Sequence, residues 1–250
     1  MSGDQIIDHD SWNYAPAKLP RQSKITLGSI YGVLPFDGVR NPGFRSSSAH
    51  RLWLTYCCRA NACKSKIGIA ESAAEAAVAH ELLLCSNLHD LHFQPLSVKF
   101  KDEYGHRRTY THDVLAEFVD GRRVLYFVRN SDSLKKPKTW RDIEAIRSAT
   151  PKDAADSMII VDAGLYSRPR RENLFRLHQA VQTLDDETDD LVLRTAREHK
   201  KLWLMRDLIS SVELPQCLVF QSCLRLIARG HLLTNLDHVI AEWSRIDVVA

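Results

Sequence analysis

Apolar positions along the chain recur at two spacings, and the elements change where the spacing changes. Between Ile25 and Lys66 short apolar runs are punctuated by Gly28, Gly32, Pro35, Gly38, Pro42 and Gly43. Within them LWLTYCC, from Leu52 to Cys58, has the β-branched and aromatic content of a strand. Glu71 to Leu84 has helical spacing, with Ala74, Val78, Ala79, Leu82 and Leu83 on repeating positions. Ser72 followed by Glu75 gives that helix a capping-box start. Leu91 to Phe100 then reads as a strand, with Pro95 best placed at an edge or bulge. A charged turn, KDEYGHRR, leads to a second strand, TYTHDVLAEF. Asp120-Gly121 signals a hairpin into VLYFVRN, a nearly all-apolar and therefore buried strand.

Further on, SLKKPK (133–138) reads as a basic loop. Thr139 to Ser148 reads as a helix with Trp140, Ile143 and Ile146 on one face, and Met158 to Gly164 as another buried strand. Strand, helix, strand predicts a crossover and a mixed sheet. Asp162, closing that last strand, is either functional or a turn former. RPRRENLFRLHQAV is a basic loop entering a helix, and TLDDETDD, from Thr183 to Asp190, has the composition of a linker. Leu191–Met205, Val212–Phe220 and Gln221–Gly230 read as short helices, the last capped by Gly230, with HLLTNLD as a short strand or wing. A winged helix and a plain helical bundle both fit this end. Residues 1–24 read as an arm, broken by Pro16 and Pro20, in which Trp12 and Tyr14 either anchor on a surface or edge the local core. The expected fold is therefore α/β (α+β with a mixed sheet), with a first domain over 25–182 and a helical or winged-helix domain over 191–250.

Composition changes this picture little. The 250 residues are 44% hydrophobic and 26% charged with a formal charge of +3, too mild a balance to imply nucleic acid by itself. No run of eighteen apolar residues occurs, and the acidic start MSGDQIIDHDSW predicts neither a secretory signal nor a membrane partner, so a cytoplasmic protein is expected. The six cysteines form no CxxC pair. They read as reduced thiols, the alternative being a zinc site of Cys57, Cys58 and Cys63 with His50 or His80.

The candidate chemistry lies between Gly68 and Asn130. Carboxylates brought together from a helix (Glu75) and a strand (Asp113) are a way to hold a divalent cation, although a capping Glu75 needs no metal to explain it. Glu117, four residues beyond Asp113, is a possible substitute ligand on the same face, and Asp132 a weaker one in a loop. His112, adjacent to Asp113, is expected to face outward. Lys135, Lys136, Lys138, Arg168, Arg170 and Arg171 are candidate phosphate contacts. Arg40, Arg45, Arg51, Arg59, Lys64 and Lys66, interleaved with Phe44, Trp53 and Tyr56, form either a phosphate-facing strip or a scattered solvated surface.

In order and spacing, Glu71-Ser72 with Glu75, Gln94-Pro95, Tyr110-Thr111-His112-Asp113 and Asp120-Gly121 resemble the motifs of the TnsA-type endonuclease subunit of heteromeric transposases. LIARGHLLTNLDH is similar to that family's small C-terminal helical domain. The resemblance implies a restriction-endonuclease-like, PD-(D/E)xK core. It also implies cleavage of double-stranded DNA at transposon ends with Mg²⁺, beside a DDE-type transposase and a regulator ATPase. Glu75 and Asp113 would then be metal-binding and catalytic, with Gln94 adjacent. The family's closing strand ends in E/Q-x-K, and here the residues are Phe127-Val128-Arg129. Phe127 offers no ligand, and Arg129 keeps the charge but is a poor proton acceptor, with a pKa above about 12. The expectation is a DNA-binding subunit whose nuclease centre cuts weakly or not at all. The alternatives are an active Mg²⁺ endonuclease and a non-catalytic adaptor that uses the N-terminal arm and the C-terminal helices.

Overall fold

A computed structural model describes residues 30–40, 51–62, 64–199 and 204–249. The expected N-terminal arm lies outside the described residues, as do Phe44, Arg45, His50 and Cys63. Strand β1 (Leu52–Tyr56) pairs antiparallel with β2 (Lys66–Ala70). Helix α1 (Ala73–Leu83) follows at once. Its start is capped by Ser72 as expected, Ser72 Oγ accepting from the Glu75 amide at 3.1 Å, while Glu75 Oε2 accepts from the amide of Glu71, one residue before the cap, at 2.8 Å.

The two long strands expected next are each broken once, at the same level. β3 (Leu88–Phe93) and β4 (Ser97–Lys101) are separated by Gln94-Pro95-Leu96. β5 (Arg107–Thr111) and β6 (Val114–Phe118) are separated by His112-Asp113. The pairing carries through both breaks, since the Gln94 amide donates to Asp113 O at 2.9 Å and the His112 amide to Leu96 O at 3.0 Å. Phe93 faces Val114 and Ser97 faces Thr111, so the first strand carries one residue more across the gap: a β-bulge. Gln94 takes it up with φ of +51°. Pro95 cannot donate to a ladder, and so falls where none is needed. The bend frees β4–β5 as a separate two-stranded arm, while β3 and β6 stay in the main sheet.

That sheet has the order β3-β6-β7-β8, with β7 (Arg123–Arg129) antiparallel to β6 across the Asp120-Gly121 turn. Gly121 has φ of +85°, the left-handed backbone such a turn demands. After α2 (Ser131–Leu134) and α3 (Pro137–Ala149), β8 (Ser157–Asp162) returns parallel to β7, so the crossover and the mixed sheet are as expected. The basic 133–138 stretch is not a loop: it spans the end of α2 and the proline-led start of α3.

Both faces of the sheet are covered. On one, Ala76, Val78, Ala79 and Leu82 of α1 pack on Leu91, Phe93, Val114, Ala116 and Val128. A Cβ on Gly68 of β2 would come within 2.5 Å of the Phe93 ring, so that packing needs a glycine there. On the other face, Ile143 and Ile146 of α3 pack on Val98 and Phe127, while Trp140 stays half-exposed.

The acidic segment Thr183–Asp190 is not a linker. Asp185 caps α5 (Asp186–Glu198), and Asp189 is buried against Arg225 at 2.7 Å and Arg229 at 2.8 Å. The second core also begins before this segment, because Leu177 and Ala180 of α4 (Arg168–Ala180) pack with α5, α6 (Met205–Ser211) and α7 (Gln216–Ala228). The expected helices at 212–220 and 221–230 are one helix, α7, ended by Gly230 with φ of +76°. β9 (Leu232–Leu233) and β10 (Asp247–Val248) form a small ribbon after it. Among the described residues no helix is long and apolar enough to cross a membrane.

Candidate functional site

The bend at His112-Asp113 turns the Asp113 carboxylate away from the ladder and onto the end of β7. There it accepts from the Val128 amide at 2.9 Å and faces the Arg129 guanidinium at 3.6 Å. Glu75 approaches from the first turn of α1. Burial and then Asp113 push Glu75 up to about 7, and burial also pushes Asp113 up, against the pull of Arg129. The structure thus brings Glu75, Asp113 and Arg129 into one site. Gln94 joins through its backbone, and its side chain is buried with Oε1 unpartnered. Glu71, ion-paired with Arg40, completes the rim.

Tyr110 and Phe127 belong here in roles that the sequence did not assign them. Tyr110, two positions before His112 in the resembling motif, places its ring over Phe127 at 4.9 Å and its shielded hydroxyl beside Asp113 without a well-aligned bond. Arg129 Cζ lies 4.2 Å from the Phe127 centroid and 5.2 Å from that of Tyr110. Phe127 itself is 2% exposed and belongs to the core under α3. It is therefore a packing residue that also floors the site.

These donors do not fit a divalent cation. A hard cation wants several free oxygens around it. Here both Glu75 oxygens are engaged, Oε1 by Ser72 Oγ at 3.1 Å and Oε2 by the Glu71 amide. The guanidinium of Arg129 occupies the position of a counter-ion to Asp113, and no group of three His, Cys, Asp or Glu suited to a metal occurs among the described residues. Glu117 does not repair the set. It pairs with Arg123 at the opposite end of β6, about 13 Å along the strand. Asp132 is exposed and paired with Lys135 at 3.0 Å. Asp162 is a turn former, accepting from Ser131 Oγ at 2.6 Å and the Gly164 amide at 2.8 Å.

His112 does not face outward. It is fully buried, with Nε2 3.0 Å from Thr150 Oγ1 at the end of α3, because a helix covers the face that the sequence left open. Burial holds it down at about 4, hence neutral at pH 7. The zinc alternative finds no support in the residues described. Cys58 donates to Asp90 Oδ1 at 2.9 Å, and His80 packs on His178 of α4 with ring centroids 4.9 Å apart.

The expected phosphate contacts divide into two groups. Lys135, Lys136 and Lys138 sit exposed at the start of α3, with Lys138 Nζ 5.7 Å from the Tyr104 ring at the tip of the β4–β5 arm. The other group lies at the start of α4. Arg168 is paired with Glu172 at 2.8 Å. Arg170 is a tie across the fold, bound to Glu81 of α1 at 2.8 Å and to Asp237 at 3.8 Å. Arg171 is half-buried beside it. In the earlier strip, Arg40 and Lys66 are likewise engaged, by Glu71 and Asp37.

No protein-family model matches the chain, and no curated protein matches it. Its residues and its α/β mixed-sheet architecture therefore carry the functional reading alone.

Proposed function

We propose that the protein is a TnsA-like, DNA-binding subunit of a transposition complex, built on a restriction-endonuclease-like core, in which the nuclease centre holds DNA but cuts weakly or not at all. The observation that carries this is a set of exposed cations on the β4–β5 arm and at the start of α3. Lys99, Lys101 and Arg107 on the β4–β5 arm, with Lys136 and Lys138 at α3, are exposed and form no ion pair among the described residues. Asp102 and Glu103 are already engaged, by Arg108 at 2.8 Å and Arg141 at 2.7 Å. Unneutralised cations on the arm and α3, in a molecule whose two acids are held by an arginine, suit phosphate binding better than phosphate hydrolysis. In the C-terminal unit the second half of α7 is buried on every side, so a winged-helix mode of contact would use its exposed start, Gln216 to Leu218. A DDE-type transposase and a regulator ATPase are the partners this reading carries with it.

The test is DNA binding by fluorescence anisotropy across a salt series, with plasmid nicking in Mg²⁺ or Mn²⁺ alongside. We expect log affinity to fall linearly with log salt. Reversal of Lys99, Lys101, Lys136 and Lys138 to Glu should weaken binding at least about tenfold and flatten the slope by about 0.9 for each phosphate no longer neutralised. No retention at low salt overturns the DNA reading. Nicking by the wild type that Asp113→Ala abolishes overturns the weak-cleavage half and favours an active endonuclease.

A further inference from the structure

Between the β4–β5 arm and α3 opens a cleft of about 440 Å³, lined among others by Phe100, Arg108, Tyr110, Phe127, Arg129 and Asp142. That is the size of a small-molecule site. Its floor is the partly exposed Arg129 guanidinium, with Cζ 4.2 Å from the centroid of the buried Phe127 ring and 5.2 Å from that of Tyr110, the two rings lying 4.9 Å apart at 35°. Arg108 stands at the mouth with 52% of its side chain exposed, its Nε held by Asp102 Oδ2 at 2.8 Å. Across from them, on α3, Asp142 keeps a carboxylate oxygen shielded from water and without any hydrogen-bond partner. Buried acceptors are normally satisfied, so this one marks a place where a donor is missing. The carboxyl torsion of aspartate is soft and two-fold, so a modest turn presents either oxygen to the cleft.

The guanidinium of Arg129 can stack a planar ring, the part of the Arg108 guanidinium that Asp102 does not bind can take a phosphate, and the carboxylate of Asp142 accepts only N–H or O–H donors. Those three demands together describe a nucleotide. Among the bases, guanine offers two adjacent N–H donors on its pairing edge, whereas thymine offers one between two carbonyl oxygens that a carboxylate repels. A paired base cannot present that edge, and unpairing costs least at a strand end. We propose that this cleft holds one unpaired nucleotide of a DNA strand, guanine in preference, with its base on Asp142 and its phosphate on Arg108. The proposal rests on the DNA-binding reading and adds a substrate feature to it: the protein grips an exposed strand end beside the duplex.

The test uses the full chain and three labelled duplexes of one length: blunt, with a short guanine overhang, and with a short thymine overhang. The guanine overhang should bind about tenfold tighter than the blunt duplex, and the thymine overhang should gain less. Asp142→Asn should bring the ratio of guanine-overhang to blunt affinity close to one. Thr109→Trp, at an exposed strand position that lines the cleft, should do the same by filling it, and thermal melts check that both variants fold. A wild-type ratio of one, or a ratio that survives both substitutions, overturns the proposal while blunt binding leaves the DNA reading in place. Absent binding to every duplex overturns both. Free dGMP is the competing source: displacement of the overhang by dGMP at equal concentration would show that the cleft takes a free nucleotide and would overturn the strand-end form.

Discussion

At the scale of single residues, the site depends on how Asp113 is held. Its carboxylate satisfies the Val128 amide and balances Arg129, while its charge opposes ionisation of Glu75. The Glu75 value near 7 lies above the usual 4.5, so the native state binds more protons than the unfolded chain in that interval. By linkage, Glu75 contributes stability that is whole below about 4.5 and is lost as pH rises through about 7. Asp113→Asn removes one cause of the shift, so carboxyl NMR should find Glu75 titrating lower in the variant, with a flatter loss of stability between those limits. Asp113→Ala also strands the Val128 amide and Arg129, a loss of about 1–3 kcal/mol in urea unfolding. An unmoved Glu75 titration in Asp113→Asn would mean that burial alone sets it. The carboxylate pairing was legible in the sequence, because helix spacing and the Asp-Gly turn place Glu75 and Asp113 on neighbouring elements. The role of Phe127 was not. A position read as a missing ligand is also a core position, and only the docking of α3 shows which face of β7 it joins.

At the scale of elements, the sequence carried the crossover, the hairpin and the capped helix, whose signals are local. It did not carry the double break at Gln94-Pro95-Leu96 and His112-Asp113. Apolar alternation continues across both breaks, and only the pairing shows that an extra residue is accommodated there. The acidic run 183–190 misled for a related reason. Dense charge reads as solvated, yet Asp189 is buried because arginines one helix away answer it. Arg225 is 3% exposed and has Asp189 as its closest anion, so Asp189→Ala leaves a cation buried in the α4–α7 core. Breaking one side of such a pair costs about 3–5 kcal/mol. Chemical denaturation should register that loss, and the paired replacement of Asp189 and Arg225 by apolar residues should recover most of it. A loss below about 1 kcal/mol for Asp189→Ala would mean that water or Asp185, 3.6 Å from Arg225, already compensates the charge.

For the molecule as a whole, the α1–α4 seam joins the sheet core to the C-terminal core, and it is closed by an unusual pair. His80 and His178 are each 4% exposed and packed ring to ring, with Phe175 at the edge of His80. Burial, and for His80 the neighbouring His178, hold both down at about 4 against an ordinary 6.5. Between those values the unfolded chain binds more protons than the folded one, so stability rises with pH across the interval and is lost as pH falls from about 6.5 to about 4. His112 adds to the same slope from under α3. His92 opposes it at higher pH. Held between Asp37 and Asp90, it is raised to about 9, and its contribution is whole below about 6.5 and fades as pH rises through about 9. Between about 4.5 and 7 Glu75 opposes this slope, but three lowered histidines outweigh one raised carboxyl, so with His92 on the alkaline side a maximum is expected near neutrality. His80→Phe with His178→Phe should flatten the acid limb by a few kcal/mol at most and leave the alkaline limb unchanged, read from urea midpoints at a series of pH values. If the acid limb keeps its slope in that double variant, the seam is not what acid opens first, and protonation of His112 beneath α3 takes its place.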